Sequence, residues 1–392
     1  MVPLIAFVVG AFIGSFLNVC IHRLPRNESV VRPPSRCYSC GTHVQWYDNL
    51  PLVSYLVLRG RCRWCAAPFS PRYLVMEVAA GLLSAGVVAW AFAPGNAGAQ
   101  SPWLSWALSI HPVGPGLSTL IAQAAAAAAV LALAYYLLVS AVIDFDHYII
   151  PDELTKPFQL AAPLLAVLVG TNLLYGEPIG LHWLIAPSSF GTSAEPTFTG
   201  GTFLVAVLGI SGGAVLFLLL SLIPARRIYQ RFSAPGQPWS EEDQRGLRIG
   251  VWWFGACTLA AMLILALVVW LRPGAWWWML ALHGAQALFG SLAGWMALYL
   301  VGLVGTLAFR RNAMGFGDVK FLAPIGAFLG PVGVLYAFFA AALIGALVSL
   351  PLRLLGGSRE IPFGPYLAAG ALLVLVGGPR FHQWLFGPLL HG

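Results

Sequence analysis

Long unbroken apolar runs, separated by shorter polar stretches that carry most of the arginines, set the rhythm of this 392-residue chain. A helix needs about 20 apolar residues to cross the hydrocarbon core of a bilayer. The runs predict helical spans near 3–22, 73–93, 118–143, 155–174, 202–224, 250–271, 279–309, 318–330, 331–352 and 363–378. The run 318–330 is short for a full crossing and fits a tilted or partly re-entrant helix. The pattern therefore predicts an all-α polytopic membrane protein of about ten spans. Composition supports this. Only 9% of the residues are charged and 59% are hydrophobic, whereas a soluble domain carries about 25% charged residues. So little charge cannot cover a water-facing surface of this size.

Basic residues then orient the spans. With the N-terminus outside, the inner side receives Arg23, Arg26, Arg32, Arg36, Arg59, Arg61, Arg63 and Arg72, followed by Lys156. It also receives Arg226, Arg227, Arg231, Arg245, Arg248, Arg310, Arg311, Lys320, Arg353 and Arg359, leaving only Arg272 and Arg380 outside. This is the bias of a positive-inside topology. The net charge of +7 reads as orientation signal and contact with anionic membrane lipids, not as a nucleic-acid surface, because the arginines are spread over several loops between spans. The first span has no basic residue ahead of its apolar run and reads as an uncleaved anchor. The longest polar pieces are 23–72 inside, 171–201 outside and 225–249 inside; the outer one has no Lys or Arg and reads as a loosely ordered loop. The alanines from 124 to 129 read as close helix packing.

Two of the six cysteines, Cys20 and Cys257, lie in apolar spans and read as packing residues. The others form Cys37-x-x-Cys40 and Cys62-x-x-Cys65 in the first inner loop. Each such pair presents two sulfurs to one ion, so two pairs make a tetrahedral thiolate site for structural Zn2+. On the reducing side disulfides are disfavoured, and four free thiols are the bland alternative. Four-thiolate sites are closed, so the zinc would fold the loop and take no part in catalysis.

Ionisable groups at membrane depth are costly and mark function. One set is Asp144, Asp146 and His147, with Pro151 and Asp152 after them, at the inner end of the third span; the other is Gly315-Phe316-Gly317-Asp318-Val319-Lys320. The orientation places both on the same membrane face. Asp144 and Asp318, brought together, would share one proton: the ionised member takes a proton from water and the protonated one hydrogen-bonds a scissile carbonyl. Gly315 and Gly317 would let the backbone bend and lie close to a peptide. Asp318 is expected to open a helix, whose dipole favours its charged form, so the shared proton is assigned to Asp144. Asp152 has the position of a helix cap. Asp146 and His147 are supporting residues or solvated interface groups, and Lys320 snorkels or acts as a local counter-charge. A proton-coupled transporter using the two aspartates as a relay is the rival reading, though no inverted repeat supports it.

At these motifs the sequence resembles the type IV prepilin peptidases, the bifunctional leader peptidase and N-methyltransferase family of GxGD-type intramembrane aspartyl proteases. Gly14-Ser15-Phe16-Leu17-Asn18-Val19 and His22-Arg23-Leu24-Pro25 open the match. The Cys pairs, Trp46-Tyr47-Asp48-Asn49-Leu50-Pro51, Arg59-Gly60-Arg61-Cys62, Pro71-Arg72-Tyr73, Glu77 and Gly81 follow. The Asp144 and Asp318 motifs and Ile361-Pro362-Phe363-Gly364-Pro365-Tyr366 complete it. The resemblance implies that Asp144 and Asp318 are the essential pair. It implies prepilin or pseudopilin substrates with a short basic leader, a bacterial inner membrane, and S-adenosylmethionine as methyl donor. Residues 1–93, with Glu77 and Gly81, would carry methyl transfer, although helix packing explains those two residues as well. Residues 118–378 would form the peptidase core around an inserted segment at about 172–284. Homo-oligomerisation or docking on pilus or secretion machinery stays open. Asp144, Asp146, Asp152, Glu153 and Asp318 would make an acidic zone for the leader.

Overall fold

A computed structural model describes residues 1–92, 115–169, 276–309, 314–354 and 362–376, with single helical positions at 256, 260 and 263. The predicted span 202–224, nearly all of 250–271, the loops 171–201 and 225–249, and Cys257 lie outside the described residues. Among the continuous described stretches eight helices follow in chain order: α1 (Val2–Arg23), α2 (Val53–Val57), α3 (Arg72–Ala91), α4 (Pro115–His147), α5 (Asp152–Val169), α6 (Trp276–Phe309), α7 (Phe316–Leu354) and α8 (Gly364–Val376). Among the described residues five stretches are long and apolar enough to cross a membrane: Val2–Arg26, Arg72–Ala91, Gln123–His147, Ala287–Thr306 and Phe316–Leu352. α5 is not among them, because Asp152, Glu153, Lys156 and Gln159 crowd its first turns; the described part of α8 is too short.

The helix ends follow local chemistry. α1 closes on Arg23, whose charge suits the negative end of a helix. α4 stops where Tyr148 turns to φ 56°, three residues before Pro151. The single run of α7 bends at Gly330, whose φ of 69° and ψ of 176° leave the helical region. A glycine tolerates that conformation, and Pro331 follows it. The bend falls where the sequence pattern divides 318–330 from 331–352. From Val319 to Leu329 every residue is buried, whereas Phe339, Leu343 and Leu347 face outward.

In lipid, apolar side chains gain little from leaving their surroundings, so helix association rests on close van der Waals contact. Small residues provide it. A Cβ on Gly290 of α6 would lie 2.1 Å from the Gly326 carbonyl oxygen of α7, and one on Gly294 would lie 2.4 Å from that of Leu322. Gly10 and Gly14 of α1 meet Ala80, Ser84 and Glu77 of α3 in the same way. The main core gathers side chains of α4 to α8, with Tyr136 stacked on Phe158 at 4.2 Å and Phe321 beside it. A second cluster, Leu17, Ile21, Met76, Val139 and Ile143, seats the α1–α3 pair against α4. The Ser84 and Tyr135 hydroxyls hydrogen-bond across that seam.

Candidate active site and metal centre

Helix phase decides which acids at the end of α4 turn inward. Asp144 lies one turn beyond the buried Ser140 and is 6% exposed, while residues 145 to 149 all face outward. Its Oδ2 accepts a hydrogen bond of 2.8 Å from the Gly364 N–H, at the start of α8. Asp318 stands in the first turn of α7. The Asp144 carboxyl lies close enough to act on Asp318 electrostatically, so two distant stretches of sequence converge. Both acids meet a helix N-terminus, Asp318 that of its own helix and Asp144 that of α8. Helix position therefore no longer separates their roles, and the assignment of the shared proton to Asp144 loses its basis.

Gly315 and Gly317 behave differently from the sharp bend expected of them. Neither adopts positive φ, and Gly317 lies within the first turn of α7. A Cβ on Gly315 would meet only Asp318 Oδ2, at 4.0 Å, and one on Gly317 would make ordinary contact with Ile150 at 3.6 Å. What Gly315 keeps clear is the approach to the Asp318 carboxyl.

The other expected site residues divide by their partners. Lys320, 6% exposed, donates from Nζ to Asp152 Oδ1 at 2.6 Å, and Lys156 reaches the other carboxylate oxygen at 2.6 Å. Lys320 is thus a buried counter-charge and does not snorkel. Burial pushes the Asp152 carboxyl up, but the hydrogen bonds from Lys156 and Lys320 outweigh it and hold it below the ordinary carboxylate range. Asp152 is the first residue of α5 and not its cap, since its charge is spent on two ammonium groups. Gln159 Nε2 donates to the Lys320 carbonyl at 2.8 Å and completes the latch between α5 and α7. Asp146 pairs with Arg72 at the start of α3, and His147 ends α4 exposed. The expected acidic zone is accordingly reduced: Asp146 and Asp152 are neutralised within the protein, leaving Asp144, Asp318 and the exposed Glu153.

The four loop cysteines do converge. Their sulfurs lie within 4.8 Å of one another, and Cys37 and Cys65 Sγ are 3.7 Å apart. Zn–S bonds of about 2.3 Å in a tetrahedron require sulfur separations of about 3.8 Å, so the four donors fit zinc. Two matching turns hold them. Cys37 N–H donates to Thr42 O and Cys62 N–H to Ala67 O, both at 2.9 Å. Isolated bridges join Arg36 to His43 and Arg61 to Pro68, and Gly41 and Ala66 take positive φ at equivalent positions. Arg63 adds a bidentate pair to Asp48. The sulfurs face one another within the loop, as the donors of a closed four-thiolate site do. Cys20 packs partly buried beside the second cluster.

Glu77 and Gly81 lie on the buried face of α3. Gly81 meets Phe7 of α1, a packing contact. Glu77 does more: it accepts a hydrogen bond from the Leu52 N–H at 2.8 Å and another from Ser15, tying the loop to the membrane helices. Sequence reasoning missed the Gly364 contact and the Glu77–Leu52 bond. The glycine in Pro362-Phe363-Gly364-Pro365 was the only signal for the first, and an acid amid apolar residues for the second.

Comparison with known proteins divides the chain similarly. Residues 8–92 match the family described as "Bacterial Peptidase A24 N-terminal domain", and 248–350 match the "Type IV leader peptidase family". The latter match contains Asp318; Asp144 falls between the two. Over 223 residues the chain is 34% identical to a "Prepilin leader peptidase/N-methyltransferase" of Myxococcus xanthus, an alignment covering 55% of this chain and 58% of that protein. Proteins of the same name from Stutzerimonas stutzeri and Pseudomonas aeruginosa are 27% and 25% identical, each over 96% of this chain and 91% of the relative. No solved structure matches the chain.

Proposed function

The chain belongs to the type IV leader peptidase family, and from that premise we propose that it removes basic leaders from prepilins or pseudopilins and then N-methylates the exposed residue. The observation that supports the first step is that Asp144, held by the Gly364 N–H at the start of α8, lies within electrostatic reach of Asp318 in the first turn of α7. One carboxylate accepts a proton from water as the oxygen attacks the scissile carbonyl, and the other acid donates its proton to the developing oxyanion. The C–N bond then breaks, and the leaving amine takes up a proton from the pair. The Gly364 N–H positions Asp144, and the Lys320–Asp152–Lys156 group fixes the turn of α7 that carries Asp318. The basic leader remains on the cytoplasmic side of a bacterial inner membrane, with the N-terminus of the chain outside. Its apolar helix lies against the spans. The loop cysteines Cys37, Cys40, Cys62 and Cys65 hold Zn2+ as a folding element. Residues 1–93 carry methyl transfer, for which S-adenosylmethionine supplies the methyl group.

The test is direct. Purified protein is mixed with a prepilin-like peptide and S-adenosylmethionine, and product masses are recorded. Leader loss and one added methyl group report the two activities. Asp144→Asn and Asp318→Asn should each slow cutting on the order of a thousandfold or more, with metal content unchanged. Cutting that survives both substitutions would end the two-acid mechanism.

A further inference from the structure

Where the cysteine loop closes over the inner ends of α1 and α3 lies a cavity of about 190 Å³, open on one side. It is separate from the paired acids. Three phenol rings, Tyr38, Tyr55 and Tyr73, line it, with Glu77 at the membrane end and Glu28 and Arg36 on the loop side. Glu77 has two hydrogen-bond donors but no cationic partner among the described residues, although it is 7% exposed. A carboxylate taken out of water without a countercharge is costly. The Arg36 and Glu28 side chains likewise make no ion pair among the described residues.

We propose that this cavity is the binding site of an adenosyl sulfonium methyl donor, with Glu77 facing the donor's positive charge. The inference deepens the methyl-transfer reading above and rests on it. The chemistry of the lining is the argument. Aromatic faces attract a sulfonium and stack on a purine ring. A carboxylate and a guanidinium on the loop side match the ammonium and carboxylate of an amino-acid tail. The place suits the sequence of events too. Tyr73 adjoins Arg72, whose partner Asp146 is two residues beyond Asp144, so the cavity lies near the point where a new amine would be released. Arg36 adjoins Cys37 in sequence, so a metal held by the cysteines would set the roof of the cavity.

The experiment uses the full chain in detergent and tritiated S-adenosylmethionine, with binding measured by equilibrium dialysis and leader removal measured alongside. Glu77→Gln and Val44→Trp, the latter filling the cavity from the loop side, should each weaken donor binding by about tenfold or more while leader removal proceeds. If wild type binds and transfers methyl groups but both variants bind donor normally, the cavity assignment is wrong and the methyl-transfer reading stands. If wild type neither binds donor nor methylates, both fall. Should the variants misfold, ultraviolet crosslinking of the labelled donor to wild type decides the matter. Label located within residues 15–77 by chymotryptic peptide mapping supports the site, and label confined to α6 or α7 overturns it.

Discussion

Gly364→Ala isolates the contact that positions the first acid. A Cβ built there falls 2.7 Å from Asp144 Oδ2, 3.1 Å from Cγ and 3.2 Å from Cβ. The closest of these falls about 0.7 Å short of the distance at which ordinary contact begins. Asp144 is buried at the end of α4 and Gly364 starts α8, so neither has an easy retreat. A misplacement of 1 Å in a catalytic group costs about 100-fold; scaled to about 0.7 Å, cleavage should slow about 25-fold. Overpacking of this kind also costs about 1–3 kcal/mol of stability, visible as a lower Tm. The assay is single-turnover leader removal with saturating peptide, which reads kcat without KM, accompanied by thermal unfolding in detergent. Gly315→Ala is the control. Its Cβ has 4.0 Å to the nearest carboxyl oxygen, so Tm should hold, and any loss should appear in KM as substrate is kept from Asp318. Wild-type single-turnover rates in Gly364→Ala would refute the claim that this backbone contact sets the acid in place.

Removing zinc with a strong chelator, or Cys37→Ser, should open the 37–65 loop to protease while helical circular dichroism persists; metal content by mass spectrometry should fall from one zinc per chain to none. Lys320→Met leaves Asp152 with Lys156 alone and should lower Tm at neutral pH. Because the folded-state pKa of Asp152 is depressed, its stabilising contribution is full above the ordinary carboxylate range and fades as pH falls through the lowered value. The Tm gap between wild type and Lys320→Met should therefore close in acid; a constant gap from pH 7 to pH 3 would contradict the pairing. Gly290→Val drives a side chain onto the Gly326 carbonyl, which lies 2.1 Å from the Cβ position, and should separate α6 from α7. Disulfide crosslinking of cysteines introduced along that seam should fail in the variant.

Much of the fold could be read from the chain because charge brackets greasy runs. The predicted 3–22 and 73–93 became α1 and α3 to within two residues, each bounded by an arginine, and the divide at Gly330-Pro331 was visible as a glycine followed by a ring without an N–H. The Cys-x-x-Cys pairs were legible because spacing alone constrains sulfur geometry. The partners of the polar groups were not. Nothing local to Lys320 announces Asp152, nor does Glu77 announce the Leu52 N–H; those bonds exist only after distant helices pack. The expected acidic zone shrank for the same reason, since counting carboxyl groups along a sequence ignores Arg72, Lys156 and Lys320 arriving to pair with Asp146 and Asp152. The glycine seams were readable in principle from Gly10-x-x-x-Gly14 and Gly290-x-x-x-Gly294, whose four-residue spacing puts both on one helix face.

The bend at Gly330 also divides labour along α7. Its first half, clad on all sides by protein, carries the acid, whereas the second half presents Phe339, Leu343 and Leu347 to the surroundings. A bilayer that thickens or thins presses on the greasy outer half. The bend at residue 330 therefore puts the lipid-facing side chains and Asp318 on different arms of one helix, so the surface that meets the lipid is set apart from the acid.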